Sequence, residues 1–172
     1  GSWESSLTLS SAEDFILEKI NTLLPSDTLL QKIKTSSYDY FFKKNKRDNS
    51  ICSLAKEIIN LDLHNKNSYS KFIPRQYLYS SVENRLFLLQ GLMDTDGYIT
   101  KKGYCVFTTS SESLKNDFIF LIKSLGGLCS CRPKYPFYTY KGEKKQGQIS
   151  YNISFRLEHC PVSLTKKVTR WK

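Results

Sequence analysis

The 172-residue sequence predicts an α+β fold in two similar halves, each an antiparallel sheet backed by helices. Three observations carry this. A layout of β-like run, Ser-Ser pair and amphipathic helix occurs at Leu7 to Asp27 and returns about one hundred residues later, at Val106 to Leu128. After each helix the pattern changes to strand-like sequence. In the later copy Ile149, Tyr151, Ile153, Phe155 and Leu157 alternate with Ser150, Asn152, Ser154 and Arg156, the period of a half-buried strand with one wet face. The halves are expected over 3–80 and 81–172.

Element by element, "LTLSSAEDFILEKINTLLPSD" gives a short strand and then a helix with Phe15, Ile16, Ile20, Leu23 and Leu24 on one stripe. Ser10 with Glu13 three residues on suggests a capping box, and Pro25 stops the helix. Thr28 to Lys44 reads as strands, Ile51 to Leu63 as a helix, and "NKNSYSKFIPRQYL" as a connection into a helix at about Val82 to Thr95. In the second half Ser111 can cap a helix ahead of Leu114, whose stripe is Leu114, Phe118, Leu121, Ile122 and Leu125. That helix ends at Gly126-Gly127. The strands of Gly127 to Leu157 follow, with "YKGEKKQGQ" expected as a polar hairpin tip between two of them.

Lys and Arg number 26 against 16 Asp and Glu, a formal charge of +10 spread along the chain, so a polyanion is the natural partner. Five cysteines without a C-x-x-C pair, beside two histidines, make no zinc site. Cys129 and Cys131, two apart on a strand, would share a face as buried free thiols, which fits an intracellular protein. No apolar run reaches membrane-spanning length and no secretory signal is visible, so no membrane partner is expected.

The stretch with chemistry in it is "LLQGLMDTDGYIT", Leu88 to Thr100. Gly91 lies on a helix face with Leu88 and Thr95, and a small residue there admits a second helix backbone. Asp94 and Asp96 then crowd the helix C-terminus, where the dipole opposes negative charge, and Gly97 reads as the stop. A hard divalent cation would compensate such acids.

"LQGLMDTDG", Leu89 to Gly97, closely resembles the LAGLIDADG motif of the homing endonucleases, agreeing at the leucine, first glycine, next leucine, both aspartates and final glycine. "KFIP" followed by "RQYLYSSVENRLF" is similar to the segment before the second such motif in intein endonuclease domains, and "SFRLEHCPVSLTKKVTRW" to their return towards the splicing domain. The resemblance implies a pseudo-twofold duplicated fold of αββαββα repeats, the first truncated at its N-terminus, whose sheets form a DNA-binding saddle. It implies site-specific cleavage of double-stranded DNA with Mg²⁺. By that likeness Asp96 is the catalytic and metal-binding acid and the Thr95 carbonyl a further ligand. Asp94, Gly91 and Gly97 are structural, and Lys71 and Lys166 or Lys167 assist the chemistry.

DNA contacts in the first half would come from Lys32, Lys34, Tyr38, Tyr40, Lys43, Lys44, Lys46 and Arg47. In the second they would come from Lys101, Lys102, Arg132, Lys134, Tyr138, Tyr140, Lys141, Lys144, Lys145 and Asn152. A first motif helix of the "LLGLLIGDGS" type is not found ahead of Leu7. Either the sequence was cut after that helix, or a separate polypeptide supplies it as in a split intein, or the element has decayed into a DNA-binding module that no longer cuts; the face left at Gly91 also suggests self-association through the Leu86 to Thr95 helix. A maturase-like RNA binder on the same basic sheets is the third expectation.

Overall fold

The structure, a computed structural model, describes residues 7–45 and 51–171, which form two compact units dividing at Asn67 and Ser68. The division falls ahead of the expected 80/81 boundary. The reason is local: the Ile73 N–H donates to Asp117 Oδ2 and Ser111 Oγ donates to the Lys71 carbonyl, which binds the "KFIP" segment to the second unit.

The first unit runs β1 (Thr8–Ser10), α1 (Asp14–Leu23), β2 (Thr28–Lys32), β3 (Asp39–Lys44) and α2 (Ser53–Asn60). Its sheet has the order β1-β3-β2, antiparallel throughout. The Ser10–Glu13 capping box does not form. Ser10 is taken into the sheet opposite Asp39, where its hydroxyl donates to that carboxylate, and Glu13 stands at the N-cap position, where its side chain makes no capping hydrogen bond. No residue of α1 is buried, and Phe15 and Leu23 are 46% and 74% exposed, so the expected stripe is only partly covered. Asp27 starts α2 from a distance in sequence, accepting from the Ser53 N–H and hydroxyl; these bonds hold its carboxyl below the usual range.

The second unit contains α3 (Arg75–Leu78), α4 (Val82–Thr95), β4 (Gly97–Ile99), β5 (Cys105–Thr109), α5 (Glu112–Ser124), β6 (Leu128–Lys134), β7 (Phe137–Tyr140), β8 (Glu143–Gln146), β9 (Ser150–Arg156) and α6 (Thr165–Val168). The one-turn helices α3 and α6 are too short for any apolar period to announce them. Its main sheet is antiparallel in the order β4-β5-β9-β6. Strand, helix, strand, strand thus recurs, and β5-β9-β6 repeats the order β1-β3-β2, with β7 and β8 inserted.

One face of this sheet carries the core. Phe107, Ile153 and Cys131 lie abreast, as do Cys105, Phe155 and Cys129, under Leu89, Met93, Phe118, Leu121 and Ile122. Phe118 stacks on Phe107 at 4.1 Å and meets Phe155 edge-on at 5.6 Å. Cys129 and Cys131 share this face as free thiols, and burial pushes the Cys105 thiol up to about 11. Ser111 caps α5 by accepting from the Leu114 N–H.

Two sequence expectations are refined here. The Lys-rich run is a hairpin tip only at its Lys141-Gly142 turn, whose residues have φ of 50° and 81°, and Glu143 to Gln146 continue as strand β8 paired with β7. Gly97 stands directly after the end of α4, as a stop residue does, but without a positive φ. It begins β4, and a Cβ placed there would lie 2.8 Å from the Met93 Cα and closer still to its sulfur. Gly97→Ala is therefore expected to cost about 2–3 kcal/mol by overpacking, read as a lower urea midpoint at unchanged slope. Among the described residues no helix is long and apolar enough to cross a membrane.

Candidate active site and nucleic-acid interface

The helix α4 ends with two acids that go opposite ways. Asp94 turns inward, 7% exposed, and its carboxylate accepts from the Ser163 N–H at 2.9 Å and the Leu164 N–H at 3.2 Å, and from the Ser163 hydroxyl. It therefore braces the start of α6. Lys167 on α6 answers from the other side, donating to the Met93, Asp94 and Gly97 carbonyls at 2.7, 2.8 and 2.7 Å. An ammonium has three donors, and all three are spent on the foot of α4, the carbonyls that a helix C-terminus leaves unpaired.

That arrangement corrects two sequence expectations. The compensation that crowded acids need comes for Asp94 from peptide N–H groups, and for the helix end from Lys167, with no cation required at either. Lys167 also has no donor left for a phosphate, so its place is in the scaffold of the site. Lys166, beside it on α6, is exposed.

Asp96 turns outward. It lines a cleft of about 200 Å³ together with Ser68, Lys71, Phe107, Thr108, Thr109, Ser110 and Leu114. The structure thus brings Asp96 and Lys71, 25 positions apart in sequence, to one cavity within one unit. Lys71 arrives there because its own carbonyl accepts from Ser111 Oγ at the N-terminus of α5. The hydroxyl lining of Ser68, Thr108, Thr109 and Ser110 escaped the sequence reading, because serines and threonines of a strand end have no period that singles them out.

The polar lining of the cleft is hydroxyl, carboxylate and ammonium, without thiol or imidazole. Such a donor set suits a hard cation: Mg²⁺ characteristically takes one or two carboxylates and fills its remaining positions with water and substrate phosphate. Asp96 is the residue that would hold it, with the Thr95 carbonyl next to it. Thr95 itself is exposed, and its hydroxyl is turned back onto the Gly91 carbonyl at 3.0 Å. No three His, Cys, Asp or Glu side chains come together among the described residues.

Gly91 differs from its expectation. Within its own unit, a Cβ built there meets no atom of the described residues within 4 Å. Phe87, one turn earlier on the same stripe, is 56% exposed.

The sheet face away from the core is the candidate interface. Thr108, Asn152 and Arg132 lie abreast across β5, β9 and β6; the next row is Val106, Ser154 and Ser130, of which Val106 is buried. The Thr108 hydroxyl donates to Asn152 Oδ1 at 2.6 Å. Arg156 lies over the Tyr104 ring at 4.5 Å, and Lys134 pairs with Ser150. Thr108 both lines the Asp96 cleft and belongs to this face, so the two surfaces are continuous. Lys101 and Lys102 are exposed in the β4–β5 turn, and Tyr138, Tyr140, Lys141, Lys144 and Lys145 are exposed on the β7–β8 ribbon.

In the first unit the expected residues do not share one face. Register places Tyr40 opposite Lys32 and Lys44 opposite Thr28 on one side of the sheet, while Lys43 lies opposite Leu29 on the other. Lys34 borders an open hollow of about 400 Å³ with Lys32, Thr35, Ser36 and Ser37, and Tyr38 follows in the same exposed loop. Lys46 and Arg47 lie outside the described residues.

No family model matches the chain. It is similar to the protein described as replicative DNA helicase DnaB of Mycobacterium intracellulare, 35% identical over 98 residues. That stretch is 57% of this chain and 16% of the helicase, so the chain spans a small part of the relative it matches.

Proposed function

We propose that this chain is the DNA-cleaving domain of a LAGLIDADG-type homing endonuclease carried as an intein element, and that Asp96 and Lys71 form its reaction centre. The observation that supports it most is the shared cleft of these two side chains, continuous through Thr108 with a polar, basic sheet face. The repeated strand order of the two units agrees with the duplicated αββαββα fold of that family. A match confined to about a sixth of a helicase's length is what an element lodged in a host protein leaves behind.

On this reading the outer face of the sheet lies along duplex DNA. Arg132, Lys134 and the turn lysines take phosphates, while Asn152, Ser130 and Ser154 face base edges. The Asp96 carboxylate would hold Mg²⁺, which when bound would supply Lewis-acid polarisation of the phosphoryl oxygen and a more acidic bound water. Lys71 places its ammonium where negative charge accumulates on phosphorus oxygens as the attacking water bonds to phosphorus and the P–O bond to deoxyribose breaks. Met93, Leu89 and the Lys167 bonds keep the foot of α4 fixed, so that Asp96 does not move as charge develops.

Cutting both strands needs a second such acid, and the stripe of Phe87, Gly91 and Thr95 is the surface on which the helix bearing it packs, whether that helix lies elsewhere in the same polypeptide, in a companion or in a second copy. Gly91→Arg is expected to convert an assembly seen by sedimentation into single chains. The spent donors of Lys167 favour one other reading, a module that binds DNA without cutting.

The experiment is incubation of the full chain with a randomised-site plasmid library in Mg²⁺, alongside retention of the same DNA on filters as salt is raised. Linear product together with salt-sensitive retention is expected. Retention without linear product selects the binding-only module, and absence of both overturns the DNA reading.

A further inference from the structure

The ribbon β7–β8 is built unlike the sheet beside it. Among the described residues its two strands pair only with each other, and every one of their residues is exposed. A lone two-stranded ribbon has no core of its own and is marginal in water. Yet Phe137, Tyr138 and Tyr140 hold 58%, 54% and 52% of their surfaces open. Lysines lie over two of these rings: Lys144 at 4.7 Å from Phe137, and Lys145 and Lys141 at 5.2 and 5.5 Å from Tyr140. Cation–π pairing engages Phe137 and Tyr140, yet about half of the surface of each of the three aromatic residues stays in water.

Spacing decides what that surface fits. Tyr138 and Tyr140 are two residues apart on one strand, so both stand on the same face about 6.6–6.8 Å apart along it. That is twice the roughly 3.4 Å base step of a nucleic acid strand, the gap that one flat base fills when a ring stacks on each side. Lys145, paired across from Tyr138, and Lys141 at the turn add positive charge beside the gap. A duplex offers such a ribbon only base edges and phosphates, because its bases are stacked on one another; an unpaired base offers both π faces.

We infer that the Tyr138–Tyr140 face of the β7–β8 ribbon is a clamp for one unpaired base, with Lys141 and Lys145 taking the flanking phosphates. The ligand class is single-stranded or locally melted nucleic acid. The inference rests on the nucleic-acid reading of this unit and is independent of the Asp96 cleft.

The test is fluorescence anisotropy of the full chain with labelled 12-mers of oligodeoxythymidine, oligouridine and an abasic backbone, and with a 12-base-pair duplex, at fixed salt. The thymidine strand should bind at least tenfold tighter than the abasic one, a comparison that needs no variant. Tyr138→Ala/Tyr140→Ala should erase that difference, a loss of roughly tenfold to hundredfold for one stacked base, and Tyr138→Phe/Tyr140→Phe should keep it. Equal binding of thymidine and abasic strands overturns the clamp, as does a double-alanine variant that binds thymidine like the parent. Preference for uridine or for thymidine identifies which strand the clamp serves. Plasmid cleavage reports on the cleft alone, so thymidine-selective binding without cleavage leaves the clamp standing while the endonuclease reading falls.

Discussion

Asp96→Asn is expected to retain duplex DNA on filters as the parent does while cutting it at least a hundredfold more slowly. The change keeps shape and volume and removes one charge at the mouth of the Asp96–Lys71 cleft. Binding is carried by the sheet face and the turn lysines, none of which depends on Asp96, so affinity should stay within a few fold. Removing a charge-stabilising group of this kind from a reaction centre typically costs a factor of 10² to 10³ or more. A variant that cuts at the parental rate would remove Asp96 from the chemistry. A variant that fails to bind would show that the side chain contributes to docking instead.

Asp94→Ala should act first on stability, through the bonds that hold the foot of α4. The buried carboxylate satisfies the Ser163 N–H, the Ser163 hydroxyl and the Leu164 N–H together. Truncation leaves those donors without their acceptor inside the protein, a cost of about 3–5 kcal/mol. In a unit of this size such a loss is a drop of well over ten degrees in melting temperature, at about 4–8 °C per kcal/mol. Asp94→Asn, which keeps one acceptor oxygen, should cost about half as much. Melting curves with equal midpoints for parent and alanine variant would contradict the bracing role.

Sequence carried a good part of this architecture. The α4 period ran from Val82 to Thr95, and the observed helix has those ends, because Ser81 caps it and the close approach of Gly97 to Met93 begins a strand. The alternation through Ile149 to Leu157 located β9 and its wet face, which became one side of the candidate interface. What stayed hidden depends on distance along the chain. Nothing local in "PVSLTKK" says that its peptide N–H groups receive Asp94 or that Lys167 faces three carbonyls some 70 residues earlier. A lysine near an acid reads the same whether it awaits a phosphate or caps a helix. The Lys-rich side of the ribbon reads as a hairpin tip because Lys and Glu are poor strand formers, and the pairing across Tyr138–Lys145 and Thr139–Lys144 overrides that preference from Glu143 on.

The tie between the foot of α4 and the segment from Ser163 to Lys167 also sets an order of events. These bonds close loops of 69 to 74 residues, so they belong to the slow, non-local part of folding. While the chain is being made, α4 emerges long before its partners, and its last turn has neither the acceptor pairing of Asp94 nor the cap from Lys167. Asp96 is therefore set in place only after residue 167 has joined the unit. On the endonuclease reading, synthesis itself would delay hydrolytic competence until the chain is past that point, and a product interrupted earlier would carry the motif without a fixed acid.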